Sequence, residues 1–195
     1  MDQKSDLNLA LLKQAAASPL LGAYLEFNHL KDVYRKGWLR RGLSRERCES
    51  VADHILGVAM LAWWSCDQFY PALNSEKALR LALVHDLGET YVGDLIPADS
   101  VDAQEKHSRE RDAVRIVLGK LAKGQDYLAL WEEYEAGQSG EAWLVRQLDR
   151  LEMAFQALVY EREGLGNLDE FFQSASQAIQ APEIRNMFEQ AVNLR

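Results

Sequence analysis

Proline is scarce in this chain, with four in 195 residues. No stretch alternates apolar and polar residues as a half-buried strand does; apolar residues recur at intervals of three and four. A β-rich architecture is therefore excluded and an all-α chain is expected. Cysteine is scarcer still. Cys48 and Cys66 are the only two and show no CxxC spacing, so neither a disulfide framework nor a zinc knuckle is expected. Reduced thiols in a cytoplasmic protein fit that usage. There is no basic block: 22 Lys and Arg stand against 30 Asp and Glu, for a net charge of −8. This argues against nucleic-acid binding. It leaves room for a small anionic substrate, because a metal and a few arginines reverse the local field. No window approaches the roughly 18 uncharged apolar residues of a membrane span. The opening MDQKSDLNLALLKQ is acidic and lacks a long apolar stretch, unlike a secretion signal.

What is present is a core. Hydrophobic residues make up 48% of the chain, enough for one domain over residues 1–195. Its centre is expected at about 20–162, with C-terminal helices at about 168–193 packed on it. Residues 7–17 read as a short helix or a loose arm. Leu20–Arg35 reads as an amphipathic helix and Ser44–Glu49 as a charged loop. Ser50 is placed to cap a helix over 51–66, and Asn74 or Ser75 to cap one over 76–86. Glu89–Val92 reads as a single turn stopped by Gly93. DLIPADSVDAQ reads as loop, since Pro97 disfavours helix at Ile96. Helices follow near 104–122, 125–135, 140–162, 168–180 and 182–193, the last with Pro182 in its first turn.

The chemistry is concentrated in few residues. His85 and Asp86 end an apolar run in ALVHDLGETYVGD. An ionised aspartate beside a histidine at the edge of a core is costly unless something compensates it. A divalent cation would do so. With His54 and Asp149, two imidazoles and two carboxylates suit a borderline or hard first-row ion and leave positions free for water and substrate. Plainer readings exist for each. His54 would be a core-edge histidine bonded to a carbonyl, and His85 a histidine favoured by a helix C-terminus. Asp149 would pair with Arg146 or Arg150. Glu89 would be a solvated acid, Asp94 an Asx turn after Gly93, and Arg35 with Trp38 a basic loop around a buried indole. His29 and His107 read as surface or packing residues.

The ordered set RKGWLRRG, ESVADH, LALVHDLGETYVGDLIPAD and QLDRLEM resembles the HD-domain phosphohydrolases. Within them it is similar to the branch of 5′-deoxynucleotidases and HD-domain-containing protein 2, over roughly Leu20 to Glu161. The resemblance implies an all-α HD-domain helical bundle. It implies one divalent metal ion on His54, His85, Asp86 and Asp149, with Co, Mn, Mg, Fe, Ni and Zn all compatible with that donor set. It makes Glu89 the catalytic acid–base. It puts Asp94 beside the sugar, where the matching residue is associated with preference for 2′-deoxyribose. Arg35 would hold phosphate and Trp38 would contact the nucleoside. In the bacterial nucleotidase pattern an arginine directly precedes the tryptophan. Here Gly37 stands there, in the RxGW form, and Arg35 is the nearest arginine upstream.

The implied reaction is hydrolysis of nucleoside 5′-monophosphates, 2′-deoxy ones by preference, in a cytoplasmic homodimer. For the dimer the chain offers two apolar faces: Trp63, Trp64, Phe69 and Tyr70, or Phe171, Phe172, Met187 and Phe188. The rivals are a hydrolase of cyclic nucleotides or alarmones, and a metal-stabilised interaction protein without turnover. The alarmone enzymes usually carry HDxxED, where this chain has Thr90.

Overall fold

The computed structural model describes residues 18–96 and 99–195. The expectations for residues 7–17 and for Pro97 lie outside these residues. Among the described residues ten α-helices run in order: α1 (Pro19–Asn28), α2 (Lys36–Arg40), α3 (Val51–Phe69), α4 (Ser75–Val84), α5 (Glu89–Val92), α6 (Ala103–Leu118), α7 (Gly124–Ala136), α8 (Gly140–Arg162), α9 (Asp169–Ala178) and α10 (Pro182–Val192), with a 3₁₀ turn at His29–Lys31. Among the described residues there is no strand, and the one β-bridge pairs Tyr34 with Ser50. The all-α expectation holds.

Short polar residues start the main helices. Ser50 and Asp53 form a reciprocal capping box on α3: each side chain binds the other's backbone N–H. Asn74 accepts from Lys77 N–H on α4, Asp102 from Gln104 and Glu105 on α6, and Ser139 from Ala142 on α8. Each such cap contributes about 1 kcal/mol. Gly93, at φ +76°, stops α5 in a conformation that side-chain-bearing residues avoid.

The chain departs from the sequence reading in its first segment. Helix α1 ends at Asn28 and does not continue to Arg35. Val33 C=O accepts from Val51 N–H at 2.8 Å, and Arg35 N–H donates to Glu49 C=O at 3.2 Å. These long-range bonds hold 33–35 extended, which a local periodicity does not register. They also seat Arg35 against the start of α3. Helix α6 likewise ends at Leu118, short of 122.

Two apolar clusters form the core. One joins α3, α4, α8, α9 and α10 through Val58, Ala62, Leu81, Leu148, Phe172 and Ile184. The other joins α1, α3, α6 and α7 through Leu30, Val51, Ile55, Val114, Val117 and Trp131. Along α3 the buried face passes from the second cluster at Ile55 to the first at Val58, and His54 sits at the change-over, fully buried. Fully burying each such large apolar side chain is worth about 1.5–3 kcal/mol. Helix α8 packs on α3, α4, α7, α9 and α10. Its Gln147 accepts the N–H groups of Gln180 and Ala181, both at 2.6 Å, and so ties the turn between the last two helices to the core.

Candidate metal centre and active site

His85 follows the last residue of α4, where backbone carbonyls have no partner further along the helix. Its Nδ1–H donates to Ala82 C=O at 2.7 Å, which fixes the tautomer and leaves the Nε2 lone pair free. Trp131 Nε1–H donates to His85 C=O at 3.1 Å, and the Tyr134 ring meets the imidazole edge-on at 5.2 Å. The ring is thus held on three sides.

His54 Nε2 lies 3.4 Å from His85 Nε2, 3.2 Å from Asp149 Oδ1 and 3.6 Å from Asp86 Oδ2. His85 Nε2 lies 3.1 Å from that same Asp86 oxygen. Bonds of about 2.1 Å to a tetrahedral ion put ligand atoms about 3.4 Å apart. The observed separations match that spacing, and the donors come from α3, the end of α4 and α8. Two imidazole nitrogens and two carboxylate oxygens are a suitable set for a first-row divalent cation, so these residues fit a metal.

The electrostatics agree. Burial and Arg35 both oppose a proton on His54, yet Asp149 and Glu152 push its pKa up to about 10. Burial also opposes charge on Asp86 and Asp149. His85 holds Asp86, and His54 holds Asp149, below the ordinary carboxylate range. The pocket demands a positive charge at its centre, and a proton supplies it where a metal does not.

Glu89 opens α5 and is buried. Its Oε2 has no hydrogen-bond partner among the described residues. Burial, reinforced by Asp86 and Asp94, raises its pKa well above the ordinary value. A buried carboxyl oxygen left unpaired in a native core calls for a functional explanation.

Asp94 is buried and accepts Lys36 N–H at 2.5 Å through Oδ2. It is anchored by the start of α2 rather than by its own turn. Arg35 Nη1 reaches Asp94 Oδ1 at 3.6 Å and Asp86 Oδ2 at 3.8 Å, and Arg35 Nε reaches Glu49 at 3.9 Å. These are ion pairs longer than hydrogen bonds, so the guanidinium is held in charge balance without its N–H groups being committed to those carboxylates. The structure therefore brings Arg35, Asp86, Glu89 and Asp94 into one charged group.

Trp38 is placed differently from the sequence expectation. It is 1% exposed, packed against Phe171 at 4.1 Å and Tyr160 at 5.3 Å, and its Nε1–H donates to Glu49 at 2.7 Å. Its ring faces are covered, so it positions Glu49 and offers no stacking surface for a nucleoside. Gly37 explains why: a Cβ there would lie 3.2 Å from the Phe171 ring. His107 stacks on Trp131 and bonds Glu135 at 2.9 Å, in keeping with a packing role.

A cavity of about 610 Å³ opens beside the ligands His85, Asp86 and Asp149, with Lys106, Trp143 and Arg150 in its wall. Arg35, Glu89 and Asp94 do not line it. Sequence reasoning overlooked Lys106 and also Glu152, whose carboxylate meets His54 Nδ1 at 2.5 Å. A signal for Glu152 was present. It stands three residues after Asp149 in QLDRLEM, on the same side of α8. Lys106 has no such signature within its charged helix.

The HD domain family matches residues 27–192. The 5′-deoxynucleotidase HDDC2 of Danio rerio is 45% identical over 159 residues, which is 80% of this chain and 77% of that protein. The protein of the same name from Homo sapiens is 41% identical, covering 80% of this chain and 76% of its own. Among solved structures, a conserved hypothetical protein from Pyrococcus furiosus superposes with a TM-score of 0.72 at 32% identity, over 88% of this chain and 98% of that one.

Proposed function

The chain belongs to the HD-domain family, and from that premise we propose that it hydrolyses nucleoside 5′-monophosphates, 2′-deoxyribonucleotides by preference, to nucleoside and phosphate. The observation that carries this reading is the convergence of His85, Asp86 and Asp149 within 3.2–3.6 Å of His54 Nε2, in the same charged group as Glu89, whose Oε2 has no partner among the described residues.

A divalent cation on those four residues supplies Lewis acidity toward a phosphate oxygen and acidifies a water. The remaining work falls to the chain. Arg35 turns its uncommitted N–H groups to the phosphate oxygens and offsets their charge. Glu89, whose pKa burial, Asp86 and Asp94 raise in the metal-free protein, would carry a proton to the 5′ oxygen as the P–O bond breaks. The water oxygen takes the vacated place on phosphorus, and the proton it sheds returns to Glu89. Asp94, immobilised by Lys36, faces the sugar and disfavours a 2′-hydroxyl. One ion per chain is the stoichiometry this reading takes, with its identity among Co, Mn, Mg, Fe, Ni and Zn left to experiment.

Two rivals find less support. Position 90, which is acidic in the HDxxED run of the alarmone enzymes, is a threonine here, its hydroxyl donating to Leu87 C=O at 2.7 Å. A structural metal site has no need of a buried, unpaired Glu89.

The proposal extends to a homodimer built on α3, where Leu56, Trp63 and Trp64 are 61%, 45% and 57% exposed, while Phe172 and Phe188 of the other face are buried. We take residues 1–195 as one domain. A cytoplasmic setting is supported by Cys48 and Cys66, both buried and free. No helix among the described residues is long and apolar enough to cross a membrane. The deciding experiment is a product-release assay resolved by chromatography over deoxy- and ribonucleoside 5′-monophosphates, a cyclic nucleotide and an alarmone, with Mn²⁺, Co²⁺ or Mg²⁺ added, so that phosphate, the monophosphate of a cyclic nucleotide and the pyrophosphate of an alarmone are each seen. Release from the 5′-monophosphates is expected; release from the cyclic nucleotide or alarmone alone rejects the reading.

A further inference from the structure

We infer that Glu152 and Gly57 work as a pair that orients His54 for the metal: Glu152 accepts the His54 Nδ1–H, and Gly57 is the space that lets its carboxylate do so. The inference rests on the metal reading above and goes beyond it to two residues outside the ligand set.

The geometry is specific. Glu152 Oε2 lies 2.5 Å from His54 Nδ1, on the side of the ring opposite the nitrogen that faces Asp149 and His85. The other nearby acid, Glu49, is engaged by Trp38 Nε1–H at 2.7 Å and by Arg35 at 3.9 Å, which leaves Nδ1 to Glu152. His85 is oriented by a backbone carbonyl, whereas His54, inside a helix, has no free carbonyl at hand and takes a carboxylate from α8. A carboxylate on the far nitrogen fixes the tautomer, stops the ring from turning and makes Nε2 a stronger donor.

Gly57 is the second, independent observation. It lies in the interior of α3, where glycine is less stable than alanine. A Cβ built on it would come 2.6 Å from Glu152 Oε1 and 2.9 Å from Glu152 Cγ. Any side chain at 57 would push the Glu152 carboxylate off His54. The helix thus gives up local stability at a position where a side chain would crowd Glu152.

The test is Mn²⁺ binding by titration calorimetry on the full chain, with thermal unfolding of each metal-free variant as the control for folding. Glu152→Leu is expected to weaken Mn²⁺ about 10–100-fold. Glu152→Gln, whose amide oxygen still accepts from Nδ1–H, should lose less. Gly57→Ala should weaken Mn²⁺ in the native background and have no further effect when combined with Glu152→Leu. The visible spectrum of the Co²⁺ form should change with Glu152→Leu and Gly57→Ala, since ring orientation alters the ligand field. A purely structural Glu152 would shift unfolding and leave both readouts alone. The inference is overturned by Mn²⁺ affinity within twofold of wild type in a folded Glu152→Leu protein, or by a Gly57→Ala effect of equal size in both backgrounds. Should Glu152→Leu fail to fold, Glu152→Ala takes its place in both comparisons under the same criterion. His54→Ala separates the two levels. If it binds Mn²⁺ as wild type does, the metal reading fails; if it loses Mn²⁺ while the Glu152 and Gly57 variants keep it, only the inference fails.

Discussion

His54 Nε2 and Asp149 Oδ1 stand 3.2 Å apart although they belong to different helices, α3 and α8. Asp149 also has Arg150 Nε within 3.8 Å, yet it is the imidazole that dominates its charge state after burial. Removing the imidazole leaves Asp86 and Asp149 facing one side of the site with less to neutralise them. His54→Ala should therefore lose metal and phosphate release together. Elemental analysis of the purified variant checks this: metal content equal to wild type would show that His54 is no ligand.

Protons and metal compete for the same place, which gives a pH signature. In the metal-free protein His54 has its pKa raised from 6.5 to about 10. A raised histidine stabilises the fold fully below about pH 6.5, and that contribution is lost as pH climbs toward 10. The thermal midpoint of chelator-treated protein should fall across this window. Mn²⁺ affinity should move the other way, rising up to about tenfold per pH unit for each proton displaced. Paired melts and titrations at pH 6.5, 7.5 and 8.5 measure both. Affinity independent of pH would mean that no proton leaves the site.

Glu89 joins a cost in stability to a gain in rate. Its raised pKa means that the folded, metal-free protein holds a proton more tightly than the unfolded chain. Stability is therefore lost as pH rises above about 4.3, the ordinary glutamate value. Glu89→Gln removes that penalty, so the metal-free variant should melt at a higher temperature than wild type at pH 7, with the advantage shrinking in acid. The same variant should retain metal and lose about 10²–10⁴-fold in kcat. A near-normal kcat would remove Glu89 from the chemistry, and loss of metal would make it a ligand.

The helices were legible because their signals are local. Ser50 and Asn74 mark starts that spacing and capping chemistry reveal, and spacing alone bounded 140–162 to the residue. The extended segment at 33–35 was not legible, because its partners Glu49 and Val51 lie far along the chain. In the site, His54, His85, Asp86 and Asp149 were nominated by residue type and family resemblance, and the structure brings them together. Trp38 was misplaced for a physical reason: an indole beside arginines reads equally as a ligand platform or as core. What decides between them is Phe171, from α9, lying over its face. Glu152 was missed because a single acid on a long amphipathic helix resembles any solvated one until α3 is packed against it.

The exposed α3 face carries its own test. Leu56, Trp63 and Trp64 concentrate apolar surface on one side of a long helix. Isolated exposed apolar residues are ordinary, and two adjacent exposed tryptophans are the surface on which the proposed dimer would form. Light scattering should return twice the chain mass of 22.2 kDa at micromolar concentration. Trp63→Glu combined with Trp64→Glu should shift it to the monomer mass with the fold intact by circular dichroism. A wild-type monomer rejects the dimer, and a dimer that survives the double change rejects this face.

Sugar discrimination is the most demanding expectation, since it turns on a single oxygen. Asp94 is buried, its Oδ2 pinned by Lys36 N–H and its Oδ1 paired with Arg35. A side chain hydrogen-bonded at one oxygen and drawn to Arg35 at the other resists swinging aside for an added 2′-hydroxyl, so the rejection is steric. Rejection of this kind is worth about 1–3 kcal/mol, or roughly 5–150-fold in kcat/KM. dAMP should thus be preferred over AMP, and likewise for the other bases. Asp94→Asn keeps the volume but loses the charge that balances Arg35; Asp94→Ala also opens space. Both should lower the deoxy-to-ribo ratio, Asp94→Ala further, before hydrolysis itself is abolished. Steady-state kinetics with paired nucleotides read this directly. Equal kcat/KM for dAMP and AMP in the wild-type protein would withdraw the deoxy preference and leave the phosphomonoesterase chemistry of His54, His85, Asp86, Glu89 and Asp149 in place.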